Sequence, residues 1–97
     1  MNRNKMYEIE IISSILADKR DTNEIYNFIV EMFTNSELET LSKRWRILEM
    51  LIEGKTQREI AKDLKVSLCK VTRGSHILKN KKSIVAEYLN KGVKNEY

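Results

Sequence analysis

The chain has 97 residues, of which 41% are apolar, and a net charge of +4 at pH 7; this length allows a single domain. With no proline and only three glycines, the composition argues against a β-rich fold with many tight turns and favours helices joined by short connections. One cysteine and one histidine exclude an internal disulfide and a metal cluster of cysteines or histidines, and no apolar run approaches the ~20 residues of a membrane span.

Two helices are predicted in the first third of the chain. Apolar residues recur at helical spacing through residues 6–17, and residues 18–21 form a polar break. Asp21 and Glu24 then have the spacing of a capping box, in which the side chain of each residue binds the backbone N–H of the other. The segment that follows is apolar on most sides, so we expect a helix that is covered from more than one direction.

The third helix is predicted to be the longest, at about 17 residues. Ser36 and Glu39 have capping-box spacing at its start, and Gly54 is expected to end it in a left-handed conformation. Trp45 lies at core spacing within this helix, and we expect it to pack rather than to bind a ligand. Three methionines are expected to fill the core, namely Met6, Met32 and Met50.

The next segment has the pattern of a helix-turn-helix. Thr56 and Glu59 have capping-box spacing before a short helix, and Ser67 is placed to cap a second helix that reaches Lys79. Lys65 stands in the turn, where many such motifs have glycine because the turn often needs a positive φ. A final helix is expected after a break at residues 79–82. The residues expected to face inward are Ile60, Ala61, Leu64, Val66, Leu68 and Val71.

Positive charge is concentrated in the same part of the chain. Residues 55–82 carry nine basic and two acidic side chains, whereas residues 1–54 carry seven basic and ten acidic ones. Such a block is the electrostatic footprint of a polyanion binder, although lysines alone also fit a solvated face. Because the block coincides with the helix-turn-helix pattern, the sequence favours DNA binding over an ordinary helical hairpin.

The stretch from Leu41 to Lys79 resembles the bacterial Trp repressor family. The similarity rests on the following residues in chain order: Arg44-Trp45-Arg46-Ile47, Gly54, Thr56-Gln57-Arg58-Glu59, Thr72-Arg73-Gly74-Ser75 and Leu78-Lys79. The resemblance implies an all-α, intertwined homodimer of about six helices per chain that represses transcription, with L-tryptophan as corepressor. The first 30 residues resemble the family only in their expected helical content.

The resemblance also implies a ligand site. Arg44 and Arg73 match the two arginines that sandwich the indole ring, and the guanidinium of Arg73 suits the ligand carboxylate. Gly74 matches a glycine that lets the ring approach the backbone, and Thr34 matches a threonine near the pocket. Ile77 departs from the family, which commonly has a serine there near the ligand's amino group. The identity of the ligand, and whether there is one, is therefore left open.

A set of DNA-binding residues follows from the motif and from the resemblance. Arg58 matches an arginine that contacts bases or phosphates, and the start of the second motif helix is expected to enter the major groove. The lysines are expected to bind phosphates, which position a protein on DNA without reading its sequence. The predicted DNA-binding residues are Arg58, Lys62, Lys65, Ser67, Leu68, Cys69, Lys70, Thr72 and Lys79.

We therefore predict one helical domain over residues 1–97, with core and dimerisation helices in 1–54, the helix-turn-helix in 55–79 and a last helix and tail in 80–97. The predicted protein is a cytoplasmic, homodimeric repressor that binds double-stranded DNA and a small-molecule corepressor, with no metal, no membrane partner and no enzymatic activity. Two alternatives are a ligand-independent DNA-binding relative and a helical module whose basic block binds an acidic protein.

Overall fold

The computed structural model of the chain describes the backbone of residues 6–94 and the side chains of residues 6–91. This range is helical without strands, which confirms the predicted all-α fold of six helices. No helix in this range is long and apolar enough to cross a membrane. The six helices are α1 (Tyr7–Ala17), α2 (Thr22–Met32), α3 (Asn35–Ile52), α4 (Gln57–Leu64), α5 (Leu68–Lys79) and α6 (Ile84–Lys94).

The chain divides into two compact units, the first ending at Leu38 and the second beginning at Glu39. Helices α1 and α2 belong to the first unit and bury no side chain. The prediction that Met6 and Met32 fill a core is therefore wrong, since these side chains are 55% and 56% exposed.

Helix α2 begins at a side-chain cap rather than at a full capping box. The carboxylate of Asp21 accepts a hydrogen bond of 2.9 Å from the backbone N–H of Asn23. Glu24 instead forms an ion pair of 3.1 Å with Lys19, so Asp21 caps the helix through Asn23 and the predicted box with Glu24 is wrong.

The capping box of α3 lies two residues before the predicted one. Glu37 accepts a hydrogen bond of 2.8 Å from the backbone N–H of Thr34, and the hydroxyl of Thr34 accepts one of 3.1 Å from the N–H of Glu37. The box predicted at Ser36 and Glu39 is therefore wrong, because Thr34 has the same spacing to a glutamate and the chain is already helical at Asn35.

Helix α3 ends at Gly54 as predicted. Gly54 has a φ of +93°, and its N–H donates to the carbonyl of Leu51 at 3.0 Å, while the N–H of Lys55 donates to the carbonyl of Met50 at 3.1 Å. These bonds satisfy carbonyls that would otherwise lack partners at the helix end.

The core of the second unit joins α3 to the helix-turn-helix. Ile60 and Val71 are fully buried, and they cluster with Ile47 and Met50 of α3. The prediction that Leu68 faces inward is wrong, since its side chain is 47% exposed. Leu68 is the first residue of α5, and the buried face of this helix begins later, at Val71. The half-buried residues around this core are Leu51, Ala61, Leu64 and Val66.

Trp45 lies at the edge of this core rather than inside it. Its side chain is 38% exposed, and its ring centroid is 6.1 Å from that of Tyr88 on α6, with the rings tilted by 54°. The predicted packing role is confirmed by this aromatic contact, although burial within the chain is only partial.

The start of α4 is fixed by the predicted capping box. The N–H of Thr56 donates to the carboxylate of Glu59 at 2.9 Å, and the N–H of Glu59 donates to the Thr56 hydroxyl at 3.1 Å. The hydrogen bond from the Thr56 N–H, with a further contribution from the Thr56 hydroxyl, holds the pKa of Glu59 below its usual value, because both favour the ionised carboxylate.

The turn between α4 and α5 requires a left-handed residue, and that residue is Lys65. Its φ is +56° and its ψ is +48°, which makes it the one non-glycine residue with positive φ in the described range. The N–H of Val66 then donates to the carbonyl of Ala61 at 3.0 Å. Ser67 caps α5 by accepting from the N–H of Lys70 at 3.4 Å.

Helix α5 lies against α3 at Gly74, which is buried. A Cβ atom placed on Gly74 would lie 2.9 Å from Ile47 Cγ2, 3.4 Å from Leu51 Cδ1 and 3.5 Å from Leu48 Cδ2. The glycine is thus required by the crossing of the two helices, since the Ile47 methyl is attached to a β-branched carbon with little rotational freedom.

Replacing Lys65 by glycine should stabilise the fold by about 1 kcal/mol, because a side chain in the left-handed region is disfavoured by that order of energy. Urea denaturation at fixed protein concentration measures the change. Lys65→Ala is the matched control, since it removes the charge but keeps the Cβ atom and should give no gain. Equal stabilisation by both variants would show that charge repulsion, not backbone conformation, is the cause.

Gly74→Ala should destabilise the protein by about 1 kcal/mol or more. The loss from overpacking is roughly 1–3 kcal/mol, which exceeds the ~1 kcal/mol that alanine gains over glycine within a helix. The same denaturation experiment, with the neighbouring Ser75→Ala as control, checks this. A Gly74→Ala protein more stable than the wild type would contradict the close helix crossing.

Candidate ligand cleft and nucleic-acid interface

A cleft lies between α3 and α5 in the second unit. Its empty space is about 430 Å³, open solvent included. Four of the five predicted ligand residues, Arg44, Arg73, Gly74 and Ile77, come together here from two different helices. The complete lining is Arg44, Ile47, Leu48, Lys70, Arg73, Gly74 and Ile77.

The lining combines an apolar floor with cationic groups at the rim. Arg44 and Arg73 are exposed, and neither forms an ion pair within the described residues. Lys70 adds a third cation, and the lining includes no carboxylate among the described side chains. Such a site suits a ligand with an apolar body and a carboxylate, because guanidinium groups bind carboxylates through paired hydrogen bonds.

Gly74 and Ile77 shape the cleft in ways that the sequence did not show. The space in front of the Gly74 Cα is occupied by Ile47 of the same chain, so this glycine permits helix packing. Ile77 is half-buried and presents hydrocarbon to the cleft, where a serine would offer a hydroxyl. The fifth predicted residue, Thr34, belongs to the first unit and caps α3; its ligand role stays a prediction.

The predicted DNA-binding residues lie mostly on exposed positions of α4, the turn and α5. Four members of the set form the exposed start of α5, namely Ser67, Leu68, Cys69 and Lys70. The remaining exposed members of the predicted set are Arg58, Lys62, Lys65 and Lys79.

Thr72 differs from the other members of that set because its hydroxyl has a partner within the protein. It is half-buried, and its Oγ1 donates a hydrogen bond of 2.8 Å to Gln57 Oε1 at the start of α4. This bond ties the two helices of the motif together across the turn. No local pattern indicated this pairing, since Gln57 and Thr72 are 15 residues apart.

A second cleft adjoins the first and shares Arg44, Ile47 and Lys70 with it. Its empty space is about 460 Å³, open solvent included. Lys43 is the residue here that sequence reasoning missed, although its position directly before Arg44 placed it close to the predicted site. The lining is Glu39, Thr40, Lys43, Arg44, Ile47, Lys65, Val66 and Lys70.

No group of three or more histidine, cysteine, aspartate or glutamate side chains within the described range is arranged to hold a metal ion. Cys69 is exposed and not in a disulfide.

Comparison with known proteins identifies the family. Residues 8–92 match the family model described as Trp repressor protein. A Trp operon repressor homolog of Xylella fastidiosa strain M23 is 33% identical over 94 residues, covering 96% of this chain and 98% of the relative. One from Chlamydia trachomatis serovar D is 34% identical over 80 residues, covering 80% and 85% respectively.

A search of solved structures gives no match. The family match is nevertheless nearly full-length, and it includes both the helix-turn-helix and the helices before it. Together with the helical fold, it confirms the family that the sequence resembled. The chain belongs to the Trp repressor family, whose members are DNA-binding transcriptional repressors.

Proposed function

We propose that the protein is a homodimeric repressor whose DNA binding depends on a small-molecule corepressor, with L-tryptophan as the favoured ligand. The observation that carries this proposal is the cleft between α3 and α5, which brings Arg44 and Arg73 to one apolar site. The relatives carry the name Trp operon repressor homolog, which favours tryptophan over other aromatic carboxylates.

The position of the cleft supports a role in controlling α5. This helix carries the exposed residues at the start of the predicted reading surface, and it also forms one wall of the cleft. A ligand held there would contact both α3 and α5 and would set the angle of α5 against the core. Because a recognition helix must fit the major groove, a change in its angle changes DNA affinity.

The exposed apolar side chains of the chain support a dimer. Tyr26 is 64% exposed, Ile9 50% and Tyr88 63%, and such residues commonly mark a surface that a partner covers. A dimer with two-fold symmetry would present two copies of α5 to DNA. The operator would then be palindromic, with half-sites about one helical turn apart.

L-Tryptophan should bind the wild-type protein at one site per chain in isothermal titration calorimetry without DNA. Arg44→Ala and Arg73→Ala should each weaken binding by tenfold or more, because truncating a charged hydrogen-bonding partner costs on the order of 1.5–3 kcal/mol. Arg46→Ala is the matched control. Arg46 lies on α3 but pairs with Glu49 and Glu53 and does not line the cleft.

Two outcomes of this titration would change the proposal. Unchanged affinity in both cleft variants would place the ligand elsewhere. No heat at millimolar tryptophan, at two temperatures, would favour the ligand-independent DNA-binding relative, for which the hydrocarbon side chain of Ile77 in the cleft is the supporting observation.

The DNA part of the proposal predicts a phosphate contact by Lys79. A duplex selected by the wild-type protein from random sequences serves as the ligand, with a scrambled duplex for comparison. Lys79→Ala should weaken binding to both and lower the slope of log affinity against log salt by about one. Lys91→Ala, outside the helix-turn-helix, is the control. A changed preference at one base pair would instead make Lys79 a base-reading residue.

The same measurements also test the alternative that the protein is a helical module whose basic block binds an acidic protein. A protein-interaction module would show no preferred duplex sequence and would bind the scrambled DNA as well as the selected one. A strong log-linear salt dependence combined with a sequence preference would exclude it.

A further inference from the structure

The second cleft, between α3 and the turn of the helix-turn-helix, has the charge of an anion site. Four cationic side chains line it, namely Lys43, Arg44, Lys65 and Lys70, and Glu39 is the one carboxylate among its described lining residues. The helix-turn-helix supplies only Lys65 and Lys70. Lys43 and Arg44 come from α3, which lies outside the motif.

These cations are not neutralised by the protein itself. None of the four forms an ion pair within the described part of the chain, and Glu39 forms none there either. Two nearby carboxylates pair with another cation instead: Glu49 of α3 and Glu53, which follows the helix, both form ion pairs with Arg46. Like charges held close together repel one another, so four unpaired cations around one concavity favour a bound anion.

The backbone at two of these cationic residues is fixed by the local structure. Lys65 is fixed in the left-handed conformation by the turn, and Lys70 lies in the first turn of α5, next to the cap formed by Ser67. Lys43 is half-buried, unlike the other three, and it lines the cleft. A partly buried lysine loses less side-chain entropy when it binds a ligand than a fully exposed one does.

We propose that this cleft binds a phosphate group of the DNA backbone and that Lys43 contributes a contact from α3. The inference rests on the DNA binding proposed above and extends the interface beyond the helix-turn-helix. A backbone phosphate is favoured over a free one because Lys65 and Lys70 belong to the predicted DNA-binding surface, which makes the cleft continuous with it. A phosphate has several oxygens and thus accepts hydrogen bonds from more than one of these cations.

The test measures the affinity of Lys43→Ala for the selected duplex as a function of salt concentration, with saturating corepressor if the wild type requires it. We expect a loss of about threefold to tenfold at low salt and a reduction of the salt slope by about one. Lys43→Arg keeps the charge and should retain the wild-type slope, whereas Lys91→Ala, outside the cleft, should change neither quantity. Circular dichroism and urea denaturation confirm that each variant is folded.

A second measurement identifies the phosphate. Single phosphates of the duplex are replaced one at a time by neutral methylphosphonates. At one position the methylphosphonate should lower the DNA affinity of the wild type but not that of Lys43→Ala. The variant already lacks the cation that would contact the phosphate charge at that position. If no position behaves in this way, and the salt slope of Lys43→Ala equals that of the wild type, the proposal is overturned.

A titration with inorganic phosphate tests whether the cleft binds a free phosphate rather than a phosphate of the DNA backbone. Saturable phosphate binding that Lys43→Ala abolishes, together with unchanged DNA affinity, would overturn the DNA assignment and make the cleft a site for a free phosphate. A wild type that shows no salt-dependent duplex binding at all would contradict the proposed function itself, whereas a loss at Lys79→Ala without any loss at Lys43→Ala contradicts only this inference.

Discussion

The arrangement of the second unit depends on the contact between α3 and α5 at Gly74. Without a side chain there, Ile47 can lie against the backbone of α5, and Ile60 and Val71 can close the core from the two motif helices. The first cleft opens beside this crossing, since Gly74 is among its lining residues, so its width is set by the distance between these two helices. A structure in which α5 stood further from α3 would separate Arg44 from Arg73 and lose the site.

Local signals predicted the parts of the fold that are governed by short-range chemistry. The capping box of Thr56 and Glu59 is present because it needs only four consecutive residues, and the positive φ of Lys65 follows from the turn of the motif. The start of α3 was misplaced because two overlapping pairs had the same spacing. Burial of Met6 and Met32 was predicted wrongly because helical periodicity marks an apolar face without showing what covers it.

The candidate site was predicted from the family resemblance more than from the residues alone. Arg44 and Arg73 are far apart in sequence, and no spacing rule connects them. The sequence also missed Lys43 as a cleft residue and Gln57 as the partner of Thr72. Both are tertiary features: the first depends on which way a helix is turned, and the second on how two helices meet across a turn.

Lys70 lines both clefts. Exchange of this residue for any side chain that is not basic alters the charge of both clefts at once. If the two clefts bind effector and DNA as proposed, operator affinity and effector preference cannot diverge independently through this position during evolution. A lineage that adapted to a different operator through Lys70 would inherit a changed effector response, and a compensating substitution at a residue that lines only one of the clefts would be needed to restore it.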